Sequence, residues 1–304
     1  MKSLISVIIV NYNTEKLLEA CLCSIREQTK QINYEVIVVD NNSLKGSLNP
    51  LIDNYPDVLF HQMDSNAGFG VANNIGAELA HGDFLFFLNP DTILMNNALL
   101  ILHKYMVQYP AVGACGGNLY NENMQSIVSY HVMDFYTREW RILLNRKRTV
   151  GFNNTGQALE VNAIMGADLF TRQSVFKEVG GFDPDFFMYF EEIELCDRIQ
   201  KAGYKVVSVP DATIIHIEGG ASEEGGDELS KWSYQEHWYS KFLYFHKTNG
   251  RLSTKLIYRA YMLKLRLAVY YYRLKRNTSK LDEWAVKKKV ITDTYGRYMS
   301  FITR

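Results

Sequence analysis

Two acidic positions of this 304-residue chain could take part in chemistry because of their surroundings. Asp91 follows Pro90 shortly after the apolar run Phe84–Leu88, so its carboxylate stands at the rim of a predicted strand. A carboxylate in that position can join a hard cation such as Mg²⁺ or Mn²⁺ to a phosphate group. It can equally cap the helix that follows, and the residues alone favour neither interpretation.

Glu192 is the second candidate, and the argument for it is helical phase. A helix that begins near Phe190 and turns about 100° per residue places Glu192 among apolar side chains, namely Ile193, Leu195, Cys196 and Ile199. A carboxylate on an apolar face is costly unless it has partners or a function, and burial would raise its pKa towards the range of a general base. We favour that interpretation over a later helix start, in which Glu192 only interacts with the helix dipole.

The same phase predicts a solvated face on this helix, formed by Glu191, Glu194, Asp197, Arg198 and Lys201. Two i,i+4 ion pairs follow from the spacing, one between Glu194 and Arg198 and one between Asp197 and Lys201. Each would contribute about 0.2 to 0.5 kcal/mol on an exposed helix.

Three apolar runs in the first third of the chain each end in a polar cluster. Residues 6–10 lead into Asn11, Tyr12 and Asn13, residues 36–39 into Asp40, and residues 84–88 into Asn89 and Asp91. Continuous apolar runs of this length are typical of parallel strands buried on both faces. Open α/β sheets bind ligands beyond the carboxyl ends of such strands. The clusters are therefore predicted to line one crevice, although turn formation would explain any single cluster.

Strands and helices alternate through the first third of the chain, which predicts an α/β fold with a mainly parallel central sheet flanked by helices. The predicted helices span residues 14–28, 69–80 and 96–109, with Thr14 or Asn13 as the cap of the first. No Gly-x-Gly-x-x-Gly follows the first strand, which argues against a dinucleotide site. Residues 120–157 are polar and include the basic run 146–148, and we interpret them as an irregular acceptor-side or flexible insertion.

The 33 basic and 33 acidic residues balance but are unevenly placed. Residues 225–304 hold 17 Lys and Arg against 6 Asp and Glu, a net charge of +11, so residues 1–224 carry −11. We therefore divide the chain into a domain at 1–224 and a helical basic C-terminal extension at 225–304. Residues 251–276 combine basic and aromatic side chains, a pattern of helices that lie on anionic lipid. Packing on the acidic body, or on a second subunit in a homodimer, is the alternative. No motif indicates nucleic-acid binding.

The four cysteines show neither zinc spacing nor a disulfide framework, which suits a reducing cytoplasm. Lys2 and the apolar residues 4–10 resemble a short signal peptide, but no small-residue cleavage site follows, so a buried first strand is predicted. No run reaches the ~20 apolar residues of a membrane span. The expected location is the cytoplasm, with peripheral association at the inner face of the cell membrane.

An ordered series of motifs across residues 4–222 points to a known family. The motifs are V-N-Y-N at 10–13, V-V-D-N-N-S at 38–43, N-A-G-F-G-V-A-N-N-I-G at 66–76, L-N-P-D at 88–91, G-A at 166–167, G-G-F-D-P-D-F-F-M-Y-F-E-E-I-E-L-C-D-R at 180–198 and H-I-E-G-G-A-S at 216–222. Each is weak alone, but the ordered set is highly specific. The chain resembles family 2 glycosyltransferases with the GT-A (Rossmann-like) fold, and among them the rhamnosyltransferase-like enzymes of bacterial surface polysaccharide assembly.

The resemblance implies a role for each matching residue. The nucleotide-sugar site comprises Asn11, Tyr12, Asn13, Asp40, Asn66, Gly68, Asn89 and Asp91, with Tyr12 and Asp40 at the base and ribose. Asp91 matches the last residue of the D-x-D element that binds a divalent metal, Mg²⁺ or Mn²⁺. His216 matches a histidine that completes the metal site in some relatives, although a lone histidine is usually structural. Glu192 matches the general base, and Gly166, Ala167 and Glu191 lie on the acceptor side.

Two departures from the family pattern bear on the chemistry. Asn89 replaces the first acid of D-x-D, which leaves a metal one carboxylate ligand. Glu192 stands where Asp is more frequent, so the base is one methylene longer. The resemblance as a whole implies an inverting, metal-dependent transfer of a sugar from a nucleotide-sugar donor to a hydroxyl of a glycan or lipid-linked acceptor.

Two alternatives stay open at the level of sequence. A non-catalytic relative would bind a nucleotide sugar or act as a scaffold, and the joint presence of Asp91, Glu192 and His216 favours the enzyme. A nucleotidyltransferase would ordinarily use a glycine-rich basic loop after the first strand, which this sequence lacks.

Overall fold

A computed structural model describes residues 3–44, 48–131, 135–144, 151–217 and 226–303. Lys2, the basic run 146–148 and the end of the last motif, residues 218–222, lie outside the described residues.

The described residues fall into two compact units. The first lies within Met1–Val132, Thr149–Phe187 and Glu191–Gly225. The second lies within Met133–Arg148, Met188–Phe190 and Gly226–Arg304. The domain division after residue 224 stays a prediction.

The first unit contains the strands. They are β1 (Leu4–Asn11), β2 (Asn33–Asp40), β3 (Val58–Gln62), β4 (Phe84–Leu88), β5 (Thr92–Leu94), β6 (Val112–Tyr120), β7 (Tyr130–His131), β8 (Leu159–Glu160), β9 (Ala163–Ile164), β10 (Asp168–Arg172) and β11 (Lys205–His216).

These strands build a mostly parallel sheet, as the sequence predicts. Within the described residues the order is β3-β2-β1-β4-β10-β6-β11-β5, with β8 added to β11. Strands β3, β2, β1 and β4 run parallel, while β10 is antiparallel to both β4 and β6. The polar ends of β1, β2 and β4 therefore meet at one edge. Short strands β7 and β9 pair separately.

The helices of the first unit flank this sheet. They are α1 (Glu15–Gln28), α2 (Asn49–Asn54), α3 (Phe69–Leu79), α4 (Ala98–Gln108), α6 (Gln173–Glu178) and α7 (Glu191–Lys201). The bounds of α1, α3 and α4 agree with the predicted ones to within two residues. Apolar residues of β1 and β4, such as Ile9 and Phe86, are fully buried against α1 and α4 residues such as Leu18 and Leu102.

The second unit is helical. Its helices are α5 (Phe135–Leu143), α8 (Gly226–Leu274) and α9 (Thr278–Ile302). Helix α8 contains a break at Gly250, which has φ 82° and ψ 167°. In the described residues no helix combines the length and apolar character needed to cross a bilayer.

The prediction that residues 120–157 are irregular is wrong in part, because β7 and α5 lie within this range. Helix α5 is fixed by contacts distant in sequence. Its Glu139 is buried, accepts a hydrogen bond from the Tyr261 hydroxyl, and lies 3.3 Å from Nζ of Lys241. The polar composition of residues 120–157 does not predict these partners, because Tyr261 and Lys241 are distant in sequence.

Candidate functional site

The ends of β1 and β2 are joined by a buried polar network around Asp40. The Asp40 carboxylate accepts hydrogen bonds from Asn11 Nδ2 at 2.7 Å, Ser43 Oγ at 2.6 Å and Ser43 N at 3.0 Å. Asn11 and Asp40 are register partners, so parallel pairing alone brings them together. Asp40 therefore orders the loops at the sheet edge, whatever ligand those loops bind.

The first helix begins where predicted, after Thr14, but without a side-chain capping bond. Thr14 occupies the N-cap position of α1, but its side chain makes no capping hydrogen bond. Its hydroxyl instead donates to Asn11 Oδ1 at 2.9 Å. The Thr14 hydroxyl thus bonds to the end of β1, and its oxygen accepts no bond from the first turn of α1.

Tyr12 and Asn13 lie in the loop between β1 and α1. Tyr12 is half-buried, and Asn13 has φ 56°, a left-handed conformation that Asn tolerates. The Asn13 backbone amide donates to Ser43 Oγ at 2.9 Å, and Asn13 Oδ1 accepts from the Leu44 amide at 2.9 Å. The roles of Tyr12 and Asn13 in nucleotide binding stay predictions.

A second network connects the loop after β2 to the start of α3. Asn41 Nδ2 donates to Asn66 Oδ1 at 2.9 Å, and Asn41 Oδ1 accepts from the Ala67 amide at 3.0 Å. The Gly68 amide also donates to Asn66 Oδ1, at 3.1 Å. Gly68 has φ +91°, and an added Cβ would lie 2.4 Å from the carbonyl oxygen of Phe187. Only glycine fits this position.

The loop after β4 carries the candidate metal ligands. Nε2 of His216 lies 3.4 Å from Oδ1 of Asp91 and 3.4 Å from Nδ2 of Asn89. Asp91 and His216 are both largely buried, and the Asp91 carbonyl accepts a hydrogen bond from the Ile217 amide at 2.9 Å. The structure thus brings together the three residues that the resemblance relates to the metal.

These residues fit a divalent cation. Oδ1 of Asn89 is buried and has no hydrogen-bond partner among the described residues, so it is available as a ligand. With the Asp91 carboxylate and the His216 imidazole, it gives two oxygen donors and one nitrogen donor, a set that suits Mn²⁺ and, through its oxygens, Mg²⁺. No cluster of three or more His, Cys, Asp and Glu with metal-binding geometry occurs in the described residues. Any further ligands would be water or substrate oxygens.

The loop before β10 connects this group to Glu192. The Asn89 amide donates to the Ala167 carbonyl at 3.0 Å. The adjacent Gly166 packs against Glu192, since an added Cβ at Gly166 would lie 3.5 Å from Cγ of Glu192. Ala167 and Gly166 therefore link the candidate metal ligands to the candidate base. This link depends on the antiparallel pairing of β10 with β4, which pairs Asp168 with Leu88.

The prediction from helical phase is wrong for Glu191, which is buried, but the partial burial and raised pKa expected of Glu192 are both found. Glu191 is buried, and its Oε2 has no hydrogen-bond partner among the described residues, while Glu192 retains partial exposure. Burial raises the pKa of Glu192 to about 7. Burial, and secondarily the neighbouring Glu192 carboxylate, raises the pKa of Glu191 well above its usual range. Glu192 is thus a partly exposed residue whose carboxyl group has a raised pKa.

The solvated face predicted for α7 is correct only at its C-terminal end. Glu194 is also buried, and Arg198 binds it through Nε at 2.7 Å and a terminal nitrogen at 2.6 Å. Arg198 further donates to the carbonyl groups of Val179 and Gly181. The predicted Asp197–Lys201 pair is present at 2.5 Å. Both ion pairs are therefore confirmed, but Glu194 and Arg198 fix α7 to the preceding loop.

Asn74 is a positioning residue that the sequence reasoning missed. Its Nδ2 donates to the Phe182 carbonyl at 2.8 Å, and its Oδ1 accepts from the Phe182 amide at 2.9 Å. This pair of bonds ties α3 to the segment before α7. Asn74 lies inside a family motif, and that membership was the available signal.

Backbone strain precedes α7. Tyr189 and Phe190 both have φ 70°, in the left-handed region that side chains other than Gly, Asn and Asp seldom adopt. Such residues cost of order 1 to 3 kcal/mol each and tend to cluster at functional sites. Their position immediately before Glu191 and Glu192 agrees with a functional role for the start of α7.

The sequence of the chain is similar to those of known glycosyltransferases. The family described as "Glycosyl transferase family 2" matches residues 6–180, more than half of the chain. The similar N-acetylglucosaminyl-diphospho-decaprenol L-rhamnosyltransferase of Mycobacterium tuberculosis is 28% identical over 255 residues, covering 76% of this chain and 80% of that protein. Rhamnosyltransferase WbbL of Escherichia coli is 29% identical over 258 residues, covering 79% and 92%.

Solved structures share the fold. A mannosyltransferase of Pyrobaculum calidifontis, solved with GDP-Man and Mn²⁺, gives a TM-score of 0.62 at 15% identity and covers 98% of this chain and 88% of its own. GalNAc-T7, solved with UDP, GalNAc and Mn²⁺, gives a TM-score of 0.57 at 19% identity and covers 71% of this chain and 44% of its own. Both likenesses support the GT-A fold.

Proposed function

The chain belongs to glycosyl transferase family 2 and is a glycosyltransferase, and from this premise we propose that it transfers a sugar with inversion from a nucleotide-sugar donor to a hydroxyl of a glycan or lipid-linked acceptor. The two similar rhamnosyltransferases make rhamnose the first donor sugar to test. Cell-surface polysaccharide synthesis is the proposed setting.

The observation that carries this proposal is the continuous path from candidate metal ligands to candidate base. Asn89, whose amide bonds to Ala167, lies within 3.4 Å of His216, and Gly166 packs against Glu192. A donor diphosphate at Asp91 and an acceptor hydroxyl at Glu192 would therefore flank one reacting centre.

The donor would lie across the strand ends. The loops ordered by Asp40 and by Asn66 would bind the nucleoside, with Tyr12 at the base. Asn89, Asp91 and His216 would hold a divalent cation, Mg²⁺ or Mn²⁺. When bound, this ion offsets the negative charge that develops on the diphosphate.

Glu192 would act as the general base. Its carboxylate accepts the proton of the acceptor hydroxyl as that oxygen forms a bond to the anomeric carbon. The bond from the anomeric carbon to the diphosphate oxygen breaks at the same time, and its electron pair leaves with the diphosphate. One displacement from the opposite face inverts the configuration at this carbon, and no covalent enzyme intermediate is required.

A pKa of about 7 suits Glu192 to this role. A general base works best when its pKa lies near the working pH, because it is then ionised yet basic enough to accept a proton. Glu191, which is buried, would help to shape the acceptor side of the site.

Two measurements test the proposal. In the first, unfolding temperature is followed with UDP-, GDP- and dTDP-sugars, each with and without Mn²⁺, because selective binding stabilises the folded state. In the second, the anomeric configuration of the product is read by NMR after transfer from the donor that binds. A donor that binds but is neither transferred nor hydrolysed would instead identify a non-catalytic binding protein. A product of retained configuration would contradict the single displacement.

A further inference from the structure

The second half of helix α8 carries an apolar stripe that faces solvent. Its members are spaced three, four or seven residues apart, so at about 100° per residue they fall within a sector of about 60°. We call this set the leucine stripe: Leu252, Leu256, Leu263, Leu267, Tyr270 and Leu274. Its side chains are 53% to 78% exposed. At 1.5 Å per residue the stripe is about 33 Å long.

The leucine stripe is separate from the face that packs the helix into its own unit. That packing face consists of Ile257, Tyr261, Met262 and Leu265, all buried. The segment therefore has one apolar side that meets α5 and α9 and another that meets water in the described structure. Aligned exposed leucines of this extent mark an interaction surface, whereas scattered exposed leucines would carry no such meaning.

The charge beside the stripe identifies the kind of partner. Residues 251–276 contain eight Lys and Arg and no Asp or Glu. Four of the basic residues lie on one flank of the stripe by helical phase: Lys255, Arg259, Arg266 and Arg273. The partner must therefore accept apolar side chains and carry negative charge along the same line.

A second copy of the chain fits this surface poorly. Pairing two leucine stripes would bring the basic flanks together, and the segment offers no acidic residue to balance them. Nucleic acid fits poorly as well, since the centre of the surface is leucine. An anionic bilayer offers both components, because leucines enter the boundary between headgroups and acyl chains while Lys and Arg meet the phosphates.

We propose that the leucine stripe and its basic flank bind an anionic lipid surface, with the second half of α8 lying in the plane of the membrane. The proposal deepens the proposed function, on which it rests for its purpose, because a lipid-linked acceptor is presented at such a surface. The binding itself requires neither donor nor acceptor and can be measured separately from sugar transfer.

Vesicle flotation of the full chain tests this proposal. We expect the protein to float with vesicles of phosphatidylcholine and phosphatidylglycerol, to remain in solution with phosphatidylcholine alone, and to dissociate as salt rises. Leu263→Glu with Leu267→Glu should abolish flotation. Arg259→Gln, Arg266→Gln and Arg273→Gln together should weaken partitioning about 10²-fold, since each basic residue near an anionic surface contributes several-fold.

The matched control is Ile52→Glu with Val107→Glu. These residues are also exposed and helical, on α2 and α4, and the double substitution changes the net charge equally. The control should float like wild type, and circular dichroism should show all variants folded. Hydrolysis of the donor should be unchanged in the leucine and arginine variants.

Each other outcome is informative. Equal flotation of wild type and the folded leucine variant, or no flotation of wild type, would overturn the membrane surface. A dimer that the leucine variant converts to monomers, without vesicle binding, would assign the stripe to a second copy. Flotation of a wild-type protein that binds no nucleotide sugar would leave the surface standing and overturn the proposed function instead.

Discussion

Nε2 of His216 lies 3.4 Å from Oδ1 of Asp91, although the two residues come from distant parts of the chain. Antiparallel pairing of β5 with β11 sets His216 opposite Thr92, the residue after Asp91, and so fixes the approach. An imidazole and a carboxylate are thus held side by side at the loop after β4. Substitution of either residue tests whether the two side chains bind a metal ion.

Asp91→Asn should abolish Mn²⁺-dependent donor binding while leaving the fold intact. The substitution removes charge without changing size, and the backbone bond from Ile217 to the Asp91 carbonyl does not need the side chain. Calorimetric titration of the donor with and without Mn²⁺ measures the effect. Asp53→Asn, an exposed carboxylate on α2, is the control and should bind as wild type does. An Asp91→Asn protein with full Mn²⁺-dependent affinity would remove the metal assignment.

Asn89→Asp should tighten Mn²⁺ binding. The buried Oδ1 of Asn89 has no hydrogen-bond partner in the described residues, and a carboxylate there would add charge to the ligand set. We expect the Mn²⁺ concentration for half-maximal donor binding to fall about tenfold, as ligand charge tunes cation affinity. Without metal, the same variant should unfold at a lower temperature, because two carboxylates then lie close together in a poorly solvated site.

Tighter Mn²⁺ binding together with a lower unfolding temperature in the absence of metal would identify Asn89 as a metal ligand and not merely a structural residue. Thermal unfolding with and without Mn²⁺ reports both shifts. If Asn89→Asp lowers the unfolding temperature equally in both conditions, Asn89 does not contact the metal.

Glu192→Gln should preserve donor affinity and lower turnover by about 10²- to 10⁴-fold, the usual share of a general base. In wild type, kcat/KM should fall as pH falls through about 7, because burial raises the Glu192 pKa to that value and only the ionised group accepts a proton. The acidic limb should be missing from the residual activity of Glu192→Gln. Steady-state kinetics across pH measures both effects.

Glu191→Gln serves as the comparison for Glu192. It removes the neighbouring carboxylate but leaves the proposed base in place, so the acidic limb of the pH profile should persist. Full activity of Glu192→Gln beside an inactive Glu191→Gln would assign the base to Glu191 instead.

The sequence predicts well that the ends of β1 and β2 meet, because parallel pairing dictates it. Once β1 and β2 are recognised as buried parallel strands, Asn11 and Asp40 must lie at the same sheet edge, and they form a hydrogen bond of 2.7 Å. The link from Asn89 to Ala167 could not be predicted in this way. It depends on β10, a short antiparallel strand with Asp168 and Arg172 at its ends, which lacks the long apolar run that identified the others.

Helical phase explains why the environment of Glu191 was predicted wrongly. Helical phase identifies the residues of α7 that share a face, but it gives no information on which other elements pack against that face. An added Cβ on Gly70 of α3 would lie 3.7 Å from Cβ of Glu191, so another helix covers the side predicted to be solvated. Glu194 is likewise buried, and its partner Arg198 is held by the Val179 and Gly181 carbonyls. Both outcomes depend on tertiary contacts that the periodicity does not contain.

Asp168→Asn should make the protein more stable at neutral and alkaline pH. Asp168 is fully buried, and burial raises its pKa well above the usual range. The folded state therefore holds the proton more tightly than the unfolded state. The contribution of Asp168 to stability is therefore full below the unfolded pKa of about 3.9 and decreases as pH rises towards the folded value.

The amide that replaces the Asp168 carboxyl group cannot ionise, so the stability of the variant does not decrease in this way as pH rises. Its side-chain oxygen can still accept the bond that Gly117 N makes to Asp168 at 2.5 Å. Urea unfolding at several pH values should show the free-energy difference between variant and wild type growing with pH. The exposed Asp211→Asn should show no such trend, and a constant difference for Asp168→Asn would contradict the raised pKa.

Gly68→Ala should destabilise the protein more than Gly250→Ala, although the two glycines have nearly the same backbone conformation. Gly68 has φ 91° and ψ 168°, and Gly250 has φ 82° and ψ 167°. Alanine in this region costs about 1 to 3 kcal/mol in strain at either position. At Gly250 an added Cβ meets no atom within 4 Å, whereas at Gly68 it would lie 2.4 Å from the Phe187 carbonyl oxygen. Urea unfolding separates the strain, which is common to both variants, from the steric clash that occurs only at Gly68.

Gly68→Ala should also weaken donor binding, since the loop of Asn66 would have to move. Equal losses of stability with unchanged donor affinity would show that the contact with Phe187 does not require glycine.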